Sequence, residues 1–286
     1  MSMRLDALLA ESRRTLGDAG IGEPGTDSRL LVCQLLGLDT AALIAGGDRE
    51  VDAEQVKRVR AAVARRAVGE PVHRILGARA FRNLVLSLSP DTLEPRPDTE
   101  ILVDLVLPHL RRMVRDGRAP RVLDLGTGTG AILLAILDEV PEATGLGVDI
   151  SPGAIATAAG NAASAGLDSR ASFLVSDWFS AVAPAFDVIV SNPPYIPTDD
   201  IADLSRDVRD HDPRTALDGG ADGLDPYRLI ARQAREHLAA GGLVAVEHGF
   251  DQREAICRLF TESGYNVAEA ARDLGGRDRA ILFKLQ

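Results

Sequence analysis

Leu5, Leu8, Leu9 and Leu16 recur at helical spacing, and Leu30, Leu31, Leu35 and Leu36 do so again after a helix start at Thr26-Asp27-Ser28. Gly37 and Gly46-Gly47 punctuate the next segments, and Asp52 is placed to cap a helix carrying Val56, Val59 and Val63. Residues 3–68 therefore predict a small helical bundle. From Glu70 the pattern shortens. Pro71 to Gly77 and Phe81 to Ser89 hold brief alternating runs around turn residues, which predicts a β-hairpin. Pro95-Arg96-Pro97-Asp98-Thr99-Glu100 is a stiff segment opening a helix from Ile101 to Leu107.

From Arg121 strand and helix patterns alternate. Strands are predicted at Val122 to Leu125, Thr144 to Ile150, Ala171 to Val175, Phe186 to Val190 and Leu243 to Glu247. Helices fall at Ala131 to Asp138, Pro152 to Ala165, a segment ending at His237, and Gln252 to Ser263. Two closing strands, Tyr265 to Ala270 and Arg279 to Leu285, have a short connection, so the edge of the sheet is antiparallel. Alternation of this kind predicts an α/β fold, a mainly parallel sheet with helices on both faces. A long polar insertion, Thr198 to Asp225, has no periodicity and reads as a functional loop.

Composition narrows this picture only a little. The chain has 286 residues, 45% hydrophobic and 26% charged, which is ordinary for a globular protein large enough for two domains. No run reaches the ~18 apolar residues of a membrane span. The first twenty residues mix apolar and charged positions, unlike a signal peptide, so a cytoplasmic location is expected. Cys33 and Cys257 sit in helical patterns with no Cys/His ligand spacing, so reduced thiols and no metal are expected. The net charge of −10 is uneven: residues 1–94 balance, and the acidic surplus lies beyond them. An acidic body makes duplex nucleic acid an improbable partner.

The candidate chemistry gathers where strands end. Ser191-Asn192-Pro193-Pro194-Tyr195-Ile196-Pro197 leaves an apolar strand as a rigid polar turn. Two prolines fix φ and remove two N–H donors. Asn192 can donate and accept together, and Tyr195 adds an aromatic face. Such a turn can clamp a conjugated nitrogen, although a Pro-rich turn can also be only a turn. Upstream, Asp124-Leu125-Gly126-Thr127-Gly128-Thr129-Gly130 joins the first strand of the alternating region to its helix. Glycines there let backbone N–H groups and a helix N-terminus approach a ligand. Asp149 ends the next strand, about twenty residues on, where a carboxylate can take ribose hydroxyls. Asp177-Trp178-Phe179 ends the third and offers a carboxylate and rings to an adenine. A glycine turn alone suits a nicotinamide or flavin dinucleotide equally. The Gly-x-Gly-x-Gly spacing and Asp124, two before the first glycine, favour S-adenosylmethionine, whose methionine end is cationic.

These residues together resemble a class I S-adenosylmethionine-dependent methyltransferase. Asn192-Pro193-Pro194-Tyr195 matches the signature shared by adenine-N6 DNA methyltransferases and glutamine-N5 protein methyltransferases. Gly69-Glu70-Pro71, Leu88-Ser89-Pro90, Thr92-Leu93, Pro95 to Glu100, Asp124 to Ala131, Ser176 to Phe179, Val190 to Ile196 and Glu247-His248-Gly249 with Gln252 resemble the HemK (PrmC) family. Those are peptide chain release factor N5-glutamine methyltransferases. The resemblance implies a Rossmann-like seven-stranded sheet with an antiparallel edge strand. It also implies a helical substrate-recognition domain (1–69), a β-hairpin linker (70–95) and a methyltransferase domain (96–286). Gly126, Thr127, Gly128, Thr129, Gly130, Asp149, Asp177, Trp178 and Asn192 would hold the cofactor, and Asn192, Pro193, Pro194 and Tyr195 the reacting amide. Glu94 and Ala80-Phe81-Arg82 depart from the family pattern, which has an apolar residue and an acidic-aromatic-aromatic run there.

The substrate implied is the Gly-Gly-Gln glutamine of a class I release factor, with the N-terminal domain gripping the factor's body and no membrane involved. Arg96 and Glu100 are candidates for the mouth of the cleft between the domains, or else a helix start with an exposed ion pair. Three other readings share features with this one. They are a ribosomal-protein glutamine methyltransferase, an adenine-N6 nucleic acid methyltransferase, and a binding protein for S-adenosylmethionine without turnover.

Overall fold

The computed structural model describes residues 2–286, which divide into two compact units. The first takes in the chain up to Ala78 together with Ser205–His211. The second comprises Arg79–Leu204 and Asp212–Gln286.

In the first unit a two-residue ladder, β1 (Met3–Arg4) with β2 (Glu50–Val51), accompanies helices α1 (Leu5–Asp18), α2 (Pro24–Leu36), α3 (Thr40–Ala45), α4 (Ala53–Ala67) and α5 (Val72–Leu76). Leu5, Leu8, Leu16, Leu31, Val56, Val59 and Val63 meet in one core, so the leucine and valine stripes face inward. Gly37 closes α2 at φ 64°, a left-handed cap suited to glycine. Asp52 caps α4 by accepting the Gln55 N–H at 2.8 Å. Within residues 71–77, where the alternation predicts a strand, Val72–Leu76 form α5 instead. Val72, Ile75 and Leu76 are spaced i, i+3, i+4, and Val72 is buried with the bundle. In a run this short the two periods cannot be told apart.

The hairpin is β3 (Ala78–Phe81) with β4 (Leu84–Ser87), in the second unit from Arg79 onward. Phe81, Leu84 and Leu86 pack into that unit's core. The helix α6 (Glu100–Arg115) begins after a 3₁₀ turn, Pro97–Thr99. Alternation then runs β5 (Arg121–Leu125), α7 (Ala131–Glu139), β6 (Thr144–Asp149), α8 (Pro152–Ser164), β7 (Ala171–Val175) and β8 (Phe186–Ser191). The insertion holds 3₁₀ turns at Thr198–Asp203 and Arg214–Ala216 around a single helical turn, α9 (Arg206–Arg209). It is structured, not a bare loop. The chain continues with α10 (Asp225–His237), β9 (Leu238–Glu247), α11 (Arg253–Glu262), β10 (Tyr265–Arg272) and β11 (Asp278–Leu285).

The seven-stranded sheet has the order β10-β11-β9-β8-β5-β6-β7. All pairs from β9 to β7 are parallel. The closing strands supply the antiparallel edge: β11 inserts between β10 and β9 and runs against both. Neighbours such as Val122 and Leu123, or Val188 and Ile189, point to opposite faces and are both buried, in separate cores. That is why the central strands read as unbroken apolar runs. No helix among the described residues is long and apolar enough to cross a membrane.

Register sets the site. Leu125 pairs with Val148 on one side and Ser191 on the other, and Asp149 pairs with Val175. Four neighbouring strands therefore end at one level, and their loops leave together.

Candidate active site

A cleft of about 700 Å³ opens over those four strand ends, entirely within the second unit. Gly126, Thr127 and Thr129 line it after β5, Asp149 after β6, Asp177 and Trp178 after β7, and Asn192 and Pro194 after β8. Of the predicted residues, Gly128, Gly130, Pro193 and Tyr195 are not on its wall.

The glycine turn is shaped by backbone need. Gly126, Gly128 and Gly130 have φ of 69°, 54° and 82°, a region that side chains strain to reach. The Gly128 N–H donates to Asp149 Oδ2 at 3.0 Å, and the Ser151 N–H donates to Oδ1 at 3.0 Å. The carboxylate is thus held by two backbone donors at the cleft wall. Asp124 is fully buried, and its Oδ2 accepts from the Thr127 hydroxyl at 2.7 Å, while Oδ1 has no partner. Burial pushes its carboxyl up to about 7. It reaches the cleft only through Thr127.

Trp178 stands in the left-handed region at φ 51°, a rare conformation for a bulky residue. The Ser176 hydroxyl fixes it by donating to the Trp178 carbonyl at 2.8 Å. Strain of this kind concentrates where a side chain must be aimed. Phe179 does not share that role. It is buried and stacks on His237, with centroids 4.6 Å apart.

At the clamp, the Ser191 hydroxyl donates to the Leu125 carbonyl at 2.8 Å, tying the turn to the glycine loop. Asn192 Nδ2 donates to Thr99 Oγ1 at 3.2 Å, so its carbonyl end is the one left for a ligand. Pro193 is buried, and Tyr195 is half-buried with its ring against the second core. Gln252 braces the turn from outside, donating to the carbonyls of Tyr195 (2.9 Å) and Gly223 (3.3 Å). The insertion returns to it as well: Ile196 N donates to Leu217 O, Gly219 N to Ile196 O, and Thr198 N to Gly220 O.

Arg96 lines the cleft and pairs with Asp212 at 2.8 Å. Glu100 does not line it and accepts the Arg82 N–H at 3.2 Å. The two departures from the family pattern have partners: Glu94 is buried against Arg79, and Arg82 bridges Asp104 and Glu139.

Comparison with known proteins adds the family. The PrmC N-terminal domain model matches residues 7–77, and the methyltransferase small domain model matches residues 99–205. A release factor glutamine methyltransferase from Agrobacterium fabrum is 49% identical over 98% of this chain and 97% of its own. The chain belongs to that family. A second member, from Rhodospirillum rubrum, is 48% identical over 98% of this chain and 85% of its own. Among solved structures, a 16S rRNA methyltransferase from T. thermophilus, in complex with AdoMet and guanosine, shares the fold. It is 18% identical with a TM-score of 0.50, covering 73% of this chain and 50% of that one. By family the chain is a methyltransferase.

Several residues that build this methyltransferase site carry no obvious motif signal. Asn161 is buried on α8 and binds Ser87 N (2.8 Å), Ser87 O (3.1 Å) and Thr129 O (2.9 Å), joining the hairpin to the glycine loop. Asp91, Asp218 and Asp225 reach the cleft from three separate segments. Glu247 and Thr99 lie behind Asn192, and within the Glu247-His248-Gly249 and Pro95-to-Glu100 motifs nothing marks their function. For Glu247 alone the sequence offers a signal, a polar residue closing an apolar strand.

Proposed function

We propose that this protein transfers a methyl group from S-adenosylmethionine to the side-chain amide nitrogen (N5) of the glutamine in the Gly-Gly-Gln motif of a class I release factor, in the cytoplasm. The observation that carries the reading is the acidic cleft ending at Asn192-Pro193-Pro194-Tyr195. Asp91, Asp149, Asp177, Asp218 and Asp225 line it, against one basic side chain among the described residues, Arg96, itself paired with Asp212. A pyrophosphate would be repelled there, whereas a ligand with sulfonium and ammonium charges fits. The group fits the residues present. Asp149 would hold the ribose, Asp177 and Trp178 the adenine, and the turn from Gly126 to Gly130 the methionine end.

Bound there, S-adenosylmethionine supplies an electrophilic methyl on a cationic sulfur. The difficulty left to the protein is the nucleophile, because an amide nitrogen delocalises its lone pair into the carbonyl. The Asn192 carbonyl oxygen and the Pro193 backbone carbonyl would accept the two amide hydrogens, orienting the nitrogen and localising its lone pair. Tyr195, whose ring packs against the second core, would anchor the turn that carries these carbonyls. Catalysis on this account is positioning and electrostatic preorganisation. The first unit would hold the body of the release factor.

The test is labelled methyl transfer to a purified release factor, beside its Gln→Ala variant in Gly-Gly-Gln and a DNA duplex. Label on the wild-type factor alone supports the reading. Label on DNA would replace it with an adenine-N6 activity, and label on neither would sink it.

A further inference from the structure

Behind the clamp lies a polar cluster to which the methyl-transfer mechanism gives no part. Glu247 ends β9 and is 2% exposed, a buried carboxylate at the carboxyl end of an interior strand. Its Oε2 has no hydrogen-bond partner. Thr99 and Asn192 are the uncharged polar side chains beside the carboxylate, and both can donate to it. Its backbone carbonyl is pinned by the Tyr227 hydroxyl at 2.8 Å. The charged and titratable groups facing it are Asp98 on the turn before α6, Tyr195 after β8, Tyr227 on α10 and Arg279 on β11. Arg279 is itself shared with Asp98 at 3.2 Å and Asp273 at 3.0 Å, so it neutralises Glu247 only in part.

A carboxamide has two unlike ends, and either can face a cleft unless something behind it chooses. An ionised carboxylate accepts only. It therefore selects the NH₂ end of Asn192, already drawn the same way by Thr99 Oγ1. Leaving a buried charge with an unfilled lone pair is costly, and a structure that keeps one beside its reacting turn uses it. We propose that Glu247, with Thr99, is the positioning residue of the clamp: together they draw the NH₂ end of Asn192 from behind and so turn its carbonyl oxygen toward the substrate nitrogen. This deepens the glutamine-methylation reading and rests on it only for the identity of the substrate.

Burial raises the Glu247 carboxyl to about 7, so the acceptor becomes a donor within an accessible pH range. Asp124 is raised to a similar value, and only a Glu247 variant separates the two.

The experiment compares wild type, Glu247→Gln, Thr99→Val and the double variant. It reads kcat and KM for the release factor, the cofactor Kd, and the Asn192 side-chain amide signals in ¹⁵N-edited NMR, assigned by their loss in Asn192→Ala. A Gln at 247 can present either end and no longer chooses. The expected result is a fall in kcat of about tenfold or more in each single variant, a cofactor Kd within about twofold, and a double variant no worse than the poorer single. Wild-type kcat should fall as pH drops through about 7, and that limb should vanish in Glu247→Gln. Full kcat in Glu247→Gln, or losses that multiply in the double variant, would overturn the proposal. So would a kcat loss matched by an equal loss of cofactor affinity. The Asn192 signals should titrate near pH 7 in wild type and not in Glu247→Gln, and flat wild-type signals also overturn it. Because NMR needs no acceptor substrate, failure of wild type to label a release factor would refute the function while this arm still decides the positioning. If Glu247→Gln does not fold, Thr99→Val with the wild-type titration decides between the same two outcomes.

Discussion

At the scale of the residue, the turn at Asn192 carries the sharpest expectations. Asn192→Ala removes an acceptor for the substrate amide and leaves the glycine loop and Asp149 in place. Turnover should fall by about 100-fold or more, with little change in cofactor affinity measured by calorimetry. Asp149→Ala should do the opposite and weaken the cofactor by ~1.5–3 kcal/mol, the worth of a hydrogen bond to a charged group. Glu247 has a consequence for stability that is separate from rate. Its folded-state pKa lies above that of the unfolded chain, so folding favours the protonated acid. Its contribution is full below ~4.3 and is lost as pH rises through about 7. Glu247→Gln should therefore unfold at a higher urea concentration than wild type at pH 8, by on the order of 2 kcal/mol, and match it near pH 4. These residues differ in legibility. Asn192, Asp149 and the glycines announce themselves by type and by position after apolar runs. Glu247, Thr99 and Asn161 act through partners 32 or more residues away in sequence, and such pairings exist only once the sheet has set its register. Phe179 shows the converse: adjacency to Trp178 places it in the site, but in the turn after β7 its ring is buried in the core.

At the scale of the element, the insertion is the part that periodicity could not resolve. Mostly polar, with Ile201 and Leu217 buried, it forms short 3₁₀ turns that return to the clamp by main-chain hydrogen bonds, and those carry no side-chain signature. Gly223 shows how close the approach is. At φ 72°, a β-carbon there would strike the Tyr195 carbonyl and meet Gln252 Nε2 at 2.7 Å. Gly223→Ala should cost more than ~1 kcal/mol in a urea melt and lower kcat by displacing Tyr195. The strands were legible because burial on both faces makes them continuous apolar runs. α5 was not, since five residues hold too little of either period.

At the scale of the whole molecule, the two compact units are each held by a different kind of interaction. The second is organised by two apolar cores on either face of one sheet. The first has a helical core and an ion cluster in which Arg66, 10% exposed, binds Asp27 at 2.7 Å and Asp207 at 3.2 Å. Asp207 belongs to the insertion, 141 residues away in sequence, so this unit is discontinuous along the chain. No pattern of apolar positions could show that. Arg66→Ala should strand Asp27, destabilise the first unit by about 3 kcal/mol, and speed amide hydrogen exchange through residues 205–211.

The placement of β11 also bears on how the chain comes to be made. Synthesis runs from the amino end, so β9 and β10 emerge before the strand that separates them. Until β11 follows, β9 keeps one unpaired edge and β10 has no neighbour in the sheet. Both then present open rows of backbone donors and acceptors. The cleft-forming strands β5 to β8 are complete by that time, so the ligand-binding half of the sheet is assembled before its far edge is protected. The interval between β9 and β11 is when the nascent protein is most exposed to wrong pairing, and where a chaperone would have most to shield.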